Sequence, residues 1–483
     1  MKEVELTTTR PTLTILDAEH IKTIHQASLD ILAHHGVRVL DDETRMMLGR
    51  EGAFIHDDEW VMIPPHLVKR ALSTAPETIV LSNQKGERVM FLEQGKTYFG
   101  TGSDTIFTID VETGERREAL RADVGRIAKL CDALPNIDFL MSMGNPHDVP
   151  TEDVYLYEFA EMVLNSNKPI VFTADNAKDV DDIFEMVSYV AGGEDRVKEK
   201  PFLLHYVEPI SPLLFPSSSV QKLVQCAKHG IPVGFIPAAN AGASAPITHA
   251  GAIALANAEC LGGLVIHQLI KPGAPFLYGF NIAMLDMKTA TVSYGAPEFR
   301  LTDATLADMA HYYQLPSWGS SGCSDSKVVD AQAGLEAMFS IYNAILSRNN
   351  LVHDVGYIES GLTSSMEMII LVDEIIDMCH RFIRPIPINE KTLAMECIGR
   401  AKMTRGFVGD DHTYENWREA QYQPKRLDRR HYETWASNGK KDLYDRLNEE
   451  AKEIMATYSP EPKPPEVVEK IEAILERRKN NRP

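Results

Sequence analysis

A chain of 483 residues, 44% apolar and 24% charged, has the composition of a large globular protein and not of a disordered or fibrous one. Its net charge of −20 speaks against nucleic acid as a partner, because phosphate binding needs clustered Lys and Arg, and is congenial to a cationic substrate. The six cysteines, Cys131, Cys226, Cys260, Cys323, Cys379 and Cys397, include no Cys-x-x-Cys pair, which argues against a disulfide framework or zinc ribbon and for a reducing cytoplasm.

At the amino terminus, Met1-Lys-Glu-Val-Glu-Leu lacks the basic-then-apolar order of a signal peptide. Leu16, Ile21, Ile24, Ala27 and Ile31 recur at helical spacing and predict a helix over Asp17 to His35, capped by Asp17 or Thr14 and stopped by Gly36. Short strand-like pieces follow at Trp60-Val-Met-Ile-Pro and Thr78-Ile-Val-Leu. Residues 1–95 therefore read as an α+β cap against the bottom or side of the element that follows.

From there to about residue 380, eight short apolar segments alternate with helix-like stretches. The segments are Thr97 to Gly102, Asp138 to Gly144, Pro169 to Ala174, Phe202 to Pro209, Pro232 to Ala238, Pro275 to Phe280, Pro316 to Gly322 and Leu351 to Ser360. The helices between and after them are expected at Ala122–Leu134, Val154–Asn165, Val180–Ala191, Ser219–His229, Ile247–Ile270, Thr302–Tyr313, Ala331–Ser347 and Ser365–Phe382. Strand–helix repetition implies a parallel sheet, and eight units close it into a (β/α)8 TIM barrel over residues 96–383. Ala250 to Ile270 is apolar enough to raise a membrane reading, but it holds Asn257, Glu259 and His267 and reads better as a buried barrel helix. After residue 383 the strand signal vanishes. Polar helices are expected at Lys391–Ile398, Trp435–Thr457 and Pro465–Arg478, and residues 384–483 read as a helical extension wrapped on the barrel or used in self-association.

In this fold the chemistry sits where the strands end. Those ends bring forward Asp104 after the first strand, His205-Tyr206-Val207-Glu208 on the fourth, Asn240 after the fifth, Trp318 to Lys327 on the seventh, and His353, Tyr357 and Glu359 on the eighth. Alternation puts His205 and Val207 on one face and Tyr206 and Glu208 on the other. Cys323 with His353 raises a thiol mechanism, although nothing local activates Cys323, and a lone Cys is more often a packing residue. No His-x-His or His-Glu-x-x-His spacing organises a metal site, and none is assigned. Tyr98, Phe99, Tyr206, Tyr278, Phe280, Trp318 and Tyr357 lie in or at the ends of strands, and aromatic faces attract a quaternary ammonium, which has no N–H to donate. About half of them must instead face the helices.

Several runs carry a family resemblance. They are Ser321-Gly-Cys-Ser-Asp-Ser-Lys-Val-Val-Asp-Ala-Gln-Ala-Gly334, His353-Asp-Val-Gly-Tyr-Ile-Glu-Ser360, Leu16-Asp-Ala-Glu-His-Ile-Lys with its following Ile-Leu-x-x-x-Gly-Val, Asp411-His-Thr413 and Asp428-Arg-Arg-His-Tyr-Glu-Thr-Trp435. Together they resemble the trimethylamine methyltransferase family over almost the whole chain. The resemblance implies a (β/α)8 barrel and methyl transfer from an amine to the cobalt of a small corrinoid protein. The founding members use pyrrolysine. This chain has none, with Lys327 and Val328 standing near the corresponding position, so it is similar to the non-pyrrolysine branch, where glycine betaine, proline betaine and carnitine demethylases occur.

Chemistry favours the same branch. A quaternary ammonium leaves as a neutral tertiary amine, so orientation and desolvation are enough and no general acid is strictly required. The expectation is a betaine:corrinoid methyltransferase acting first on glycine betaine, giving dimethylglycine, with a corrinoid (cobalamin) carried by a cognate partner protein. The seven aromatics form the pool for the cage. Asp104, Glu208 and Glu359 add negative potential, and His205, His353, Asn240 or Lys327 hold the substrate carboxylate. Proline betaine or carnitine as substrate stays open. So do two other classes, a metal-dependent barrel hydrolase or lyase and a non-catalytic betaine-binding protein.

Overall fold

Strands buried on both faces read as unbroken apolar runs, as Ile170–Phe172 does, whereas the seventh segment, Pro316 to Gly322, is buried but built largely of Trp, Gly and Ser. The computed structural model describes residues 6–480 except 8 and 58; residues 1–5, where the sequence carries no signal-peptide pattern, lie outside the described residues. Parallel pairing runs from Gly100 to Phe139 and from Leu140 to Ile170 by single bridges. It continues from Ile170 to Leu203, His205 to Val233 and Val233 to Phe276. A bridge joins Tyr278 to Ser317, and ladders then join Trp318 to Leu351 and Leu351 back to Tyr98. The order returns to its start, so the segments form a ring with helices outside it, a (β/α)8 barrel. The second strand is the weakest member, reduced to bridges at Phe139 and Leu140.

Alternation along the strands splits the core in two. Inward residues, among them Val171, Leu204, Leu277, Trp318 and Leu351, pack with Ile79, Leu81, Met90 and Leu92 from the antiparallel hairpin Ile79–Ser82/Arg88–Leu92. That hairpin closes the end of the ring where the strands begin, and Ser82 and Gln84 donate their backbone N–H groups to Pro201 and Asn167. Outward residues pack beneath the helices in a larger second core.

The helix Ala18–Asp30 starts at Asp17, whose carboxylate accepts from the N–H groups of Glu19 and His20, and a π-helical turn carries it on to His35 before Gly36 at φ 73°. The sixth barrel helix begins at Pro297, earlier than the expected Thr302, because a proline is preorganised for a first helical turn and loses no bond there. His249–Ile270 is long and apolar enough to cross a membrane, yet 89% of its apolar window is buried inside the protein. Two of its polar groups are satisfied internally, Asn257 donating to Ser28 Oγ at 2.8 Å and Glu259 accepting from Ser211 Oγ at 2.7 Å.

Two details of the carboxy-terminal expectation are corrected. Pro387–Ile388 is a short strand, paired with Leu6–Thr7. The helices expected at 391–398 and 435–457 are each broken, at Ala394 and around Gly439, where the backbone turns left-handed. Arg426 ties the segment to the last barrel helix, Met366–Phe382, through Asp373 at 2.6 Å, and also holds Glu450 at 2.6 Å. Arg478, on the helix Pro465–Asn480, reaches Asp179 and Asp153.

Candidate functional site

The ends of the strands enclose a cavity of about 790 Å³ whose walls come from the loops around the ring. Its aromatic wall combines strand and loop residues. Tyr206, on the strand Leu203–Val207, stacks on Trp318 with centroids 4.8 Å apart and planes 21° apart, and its hydroxyl donates to Glu208. Tyr357 and Tyr294 stand at 87° with centroids 6.3 Å apart, an edge-to-face pair. The Tyr357 hydroxyl donates to the Ser103 carbonyl. Gly102 makes this possible, since a Cβ there would lie 2.1 Å from Tyr357 Cζ. Tyr155, in the first turn of Val154–Asn165, also lines the cavity. Burial holds the phenols of Tyr206, Tyr294 and Tyr357 far above their usual range. For Tyr155 the charge of Asp104 acts first and burial second. All four therefore remain O–H donors at neutral pH.

The same walls carry carboxylates. Asp104 accepts from Ser103 Oγ at 2.7 Å, its other oxygen has no partner among the described residues, and burial raises its pKa. Burial also raises Glu208. Behind Asp104, burial and then the Asp104 charge push Glu158 well up. Asp354 is 1% exposed; Oδ1 lies 2.7 Å from His353 Nδ1, off the axis of a hydrogen bond, and Oδ2 is unpartnered. The far side of the His353 ring meets Ser320 Oγ at 2.8 Å and Asn281 Nδ2 at 3.4 Å. Glu359 is different. Burial pushes its pKa up, but Thr363 and Arg116, the latter at 2.7 Å, bring it below the ordinary value and neutralise its charge. Asp104 (φ 60°), Asp354 (φ 80°), Glu359 (φ 53°) and Ser360 (φ 55°) all adopt left-handed backbone, a concentration of strain typical of functional sites.

Of the residues picked out in the sequence, Asp104, Tyr206, Glu208, Asn240, Lys327, His353, Tyr357 and Glu359 line the cavity. Trp318 lies inside the ring beneath Tyr206. Five others are corrected. Tyr98 points inward but sits where its strand begins, and its hydroxyl accepts from the Phe91 N–H at 3.0 Å. Phe99 faces the helices, its ring 6.2 Å from that of His380. His205 is outward too, stacked on Phe172, its Nδ1 3.0 Å from the Phe172 carbonyl; burial lowers its pKa to about 3. On the sixth strand Leu277 faces inward, so Tyr278 and Phe280 alternate outward, and the Tyr278 hydroxyl donates to Asn257 Oδ1 at 2.7 Å. Cys323 is buried and its thiol pushed up by that burial, leaving no thiolate for a nucleophilic mechanism.

Tyr155, Tyr294, Lys222 and Asp354 line the cavity without having been selected. Asp354 adjoins His353 in the chain, so its neighbourhood was legible. Tyr294 belongs to a loop and Tyr155 and Lys222 to helices, where strand alternation gives no signal. Among the described residues, no group of three or more His, Cys, Asp or Glu side chains is arranged to hold a metal ion.

The family model for trimethylamine methyltransferase (MTTB) matches residues 1–483. A trimethylamine methyltransferase, MttB, of Desulfitobacterium hafniense (strain DCB-2) is 31% identical over 459 residues, covering 95% of this chain and 92% of the relative. A glycine betaine methyltransferase of Desulfitobacterium hafniense (strain Y51) is 29% identical over 472 residues, covering 97% and 98%. The solved structure of the Methanosarcina barkeri monomethylamine methyltransferase (MtmB) superposes with a TM-score of 0.50 at 10% identity, covering 92% of this chain and 88% of that one, a likeness of fold alone.

Proposed function

This chain belongs to the trimethylamine methyltransferase family, and on that premise we propose that it moves a methyl group from a quaternary ammonium, glycine betaine foremost, to Co(I) of a corrinoid protein. The observation that carries the reading is the cavity itself. Tyrosines line it together with Asp104, Glu208 and Asp354, none of which has an arginine partner among the described residues, whereas Glu359 does. Such a wall attracts a permanent cation through ring quadrupoles and uncompensated charge. An anion gains nothing from that wall.

The residues of the chain then act by binding and orientation. Tyr206, Tyr294 and Tyr357 hold the methylated nitrogen and exclude water around it, and Asp354 opposes its charge. A reduced corrinoid at the mouth supplies the nucleophilic cobalt. One N–CH3 bond breaks with its electron pair staying on nitrogen, which leaves as a neutral tertiary amine while a Co–CH3 bond forms. The chain neither gives nor takes a proton.

Large apolar residues stand exposed on the loops that follow strands one, four, five, six and eight: Ile106, Ile210 (55% exposed), Ile247, Met287 (72% exposed) and Leu362. A discontinuous apolar rim of this kind supports docking of a protein-borne corrinoid over the opening.

The test mixes the protein with Co(I) cobalamin and each of glycine betaine, proline betaine, carnitine and trimethylamine, following the absorbance change to methyl-Co(III). Methylation from a quaternary amine is expected. No methylation from any of them would overturn the reading.

A further inference from the structure

The cavity has two unlike sides. Of the edge-to-face pair, Tyr294 comes from the loop after strand six and Tyr357 from the short strand that follows strand eight, while Asp354 belongs to strand eight itself. Across the ring, in the sector of strands three and four, Lys222 enters from the helix Ser217–His229 and its ammonium donates to the Ala174 carbonyl at 2.6 Å. That is its only hydrogen bond, and it ion-pairs with no carboxylate among the described residues. An ammonium carries three donors, which leaves two of them unfilled on a side chain that lines the cavity.

A partly buried cation with unfilled donors is costly to maintain unless something arrives to fill them. The other cavity lysine is no substitute, since Lys327 is solvent-exposed and bonds the Asp325 carbonyl at 2.9 Å. Asp175 is the acid whose charge acts most on Lys222, followed by Asp179 and Glu208. None of them forms an ion pair with it among the described residues; Asp179 is held by Arg478 and Glu208 takes the Tyr206 hydroxyl.

Building on the quaternary-ammonium reading above, we propose that Lys222 receives the carboxylate of the substrate, so that the cavity selects zwitterionic betaines over simple tetraalkylammonium ions. The dipolar cavity matches a dipolar guest, with the ammonium against the tyrosines and the carboxylate against Lys222. This assigns the anionic end to a residue that the sequence did not single out, in place of His205, which faces the helices.

The experiment measures the affinity of the full chain for glycine betaine and for tetramethylammonium by calorimetry, in the wild type, Lys222→Gln and Lys222→Arg. Lys222→Gln is expected to weaken glycine betaine by at least about 10-fold, the scale of one hydrogen bond to a charged group, and to leave tetramethylammonium unchanged or tighter. Lys222→Arg keeps the charge and is expected to recover part of the loss. An unchanged glycine betaine affinity in Lys222→Gln, or an equal loss for both ligands, overturns the proposal and makes Lys222 a mere counter-charge of the acidic wall. So does a wild type that binds tetramethylammonium as tightly as glycine betaine. Failure of the cobalamin assay with a preserved Lys222-dependent preference would instead remove the catalytic reading and leave the anchor in place. If neither ligand binds the wild type, both fall.

Discussion

Gly102→Ala separates the shape of the cage from its chemistry, because it adds one methyl group and removes no polar atom. The added Cβ would lie 2.1 Å from Tyr357 Cζ and 2.2 Å from its hydroxyl, where ordinary contact begins at 3.4 Å. The ring must therefore retreat by more than about 1 Å, losing the hydrogen bond to Ser103 and its place against Tyr294. Gly102 carries no left-handed φ, so the backbone itself accepts alanine. Overpacking of this kind costs about 1–3 kcal/mol of stability. A displaced ring forfeits a cation–π contact of about 0.5–2 kcal/mol, or roughly 2- to 30-fold in affinity for a quaternary ammonium. Calorimetry with tetramethylammonium reads the affinity, and urea unfolding shows that the variant is folded. The single variants Gly102→Ala and Tyr357→Leu should lose affinity by the same route, so the double variant should lose no more than Tyr357→Leu alone. Additive losses, or wild-type affinity in folded Gly102→Ala, would refute the placement of Tyr357 in the cage.

Asp354→Asn keeps a residue type that tolerates φ 80° but removes the charge facing the tyrosines; cation affinity is expected to fall by about 1–2 kcal/mol, and a fall no larger than that of a surface carboxylate would count against Asp354 as the counter-charge. Burial raises Asp104 and Glu208, so acidification through their raised pKa values protonates the wall; the affinity for tetramethylammonium, whose charge is fixed, should drop as pH falls, and binding should release protons, which calorimetry in buffers of different ionisation enthalpy detects. Away from the site, burial lifts Glu259 from 4.5 to about 7. An acid with a raised folded pKa binds more protons folded than unfolded between those values, so its contribution to stability falls as pH rises from 4.5 to 7. The stability of Glu259→Gln relative to wild type should therefore climb over that interval by up to about 3 kcal/mol, and a flat difference would contradict it.

The barrel was legible in the chain because its signal is local. Each apolar segment is short, buried and bounded by Gly or Pro, and each intervening helix announces itself by periodicity, as Ala331–Ser347 does with Asp330 as its cap. Glu208 and Tyr206 were legible for the same reason: two residues apart on one strand, they must share a face.

Which face was inward was another matter. Alternation relates residues within a strand but carries no absolute sign, and the sign comes from the register each strand adopts with its neighbours around the ring. On that account Tyr278 and Phe280 lie under the helices while Leu277 points in, and His205 turned out to be a core histidine. Depth along the strand was equally hidden, so Tyr98 faces inward at the wrong end. Tyr155, Lys222 and Tyr294 reach the cavity from two helices and a loop that meet only once the ring closes, and nothing in the linear chain records that meeting. Local signals along the chain are enough to define the architecture and the rim on which chemistry occurs. The closed ring alone decided which side chains of that rim face one another, because facing is a relation between segments far apart in the chain.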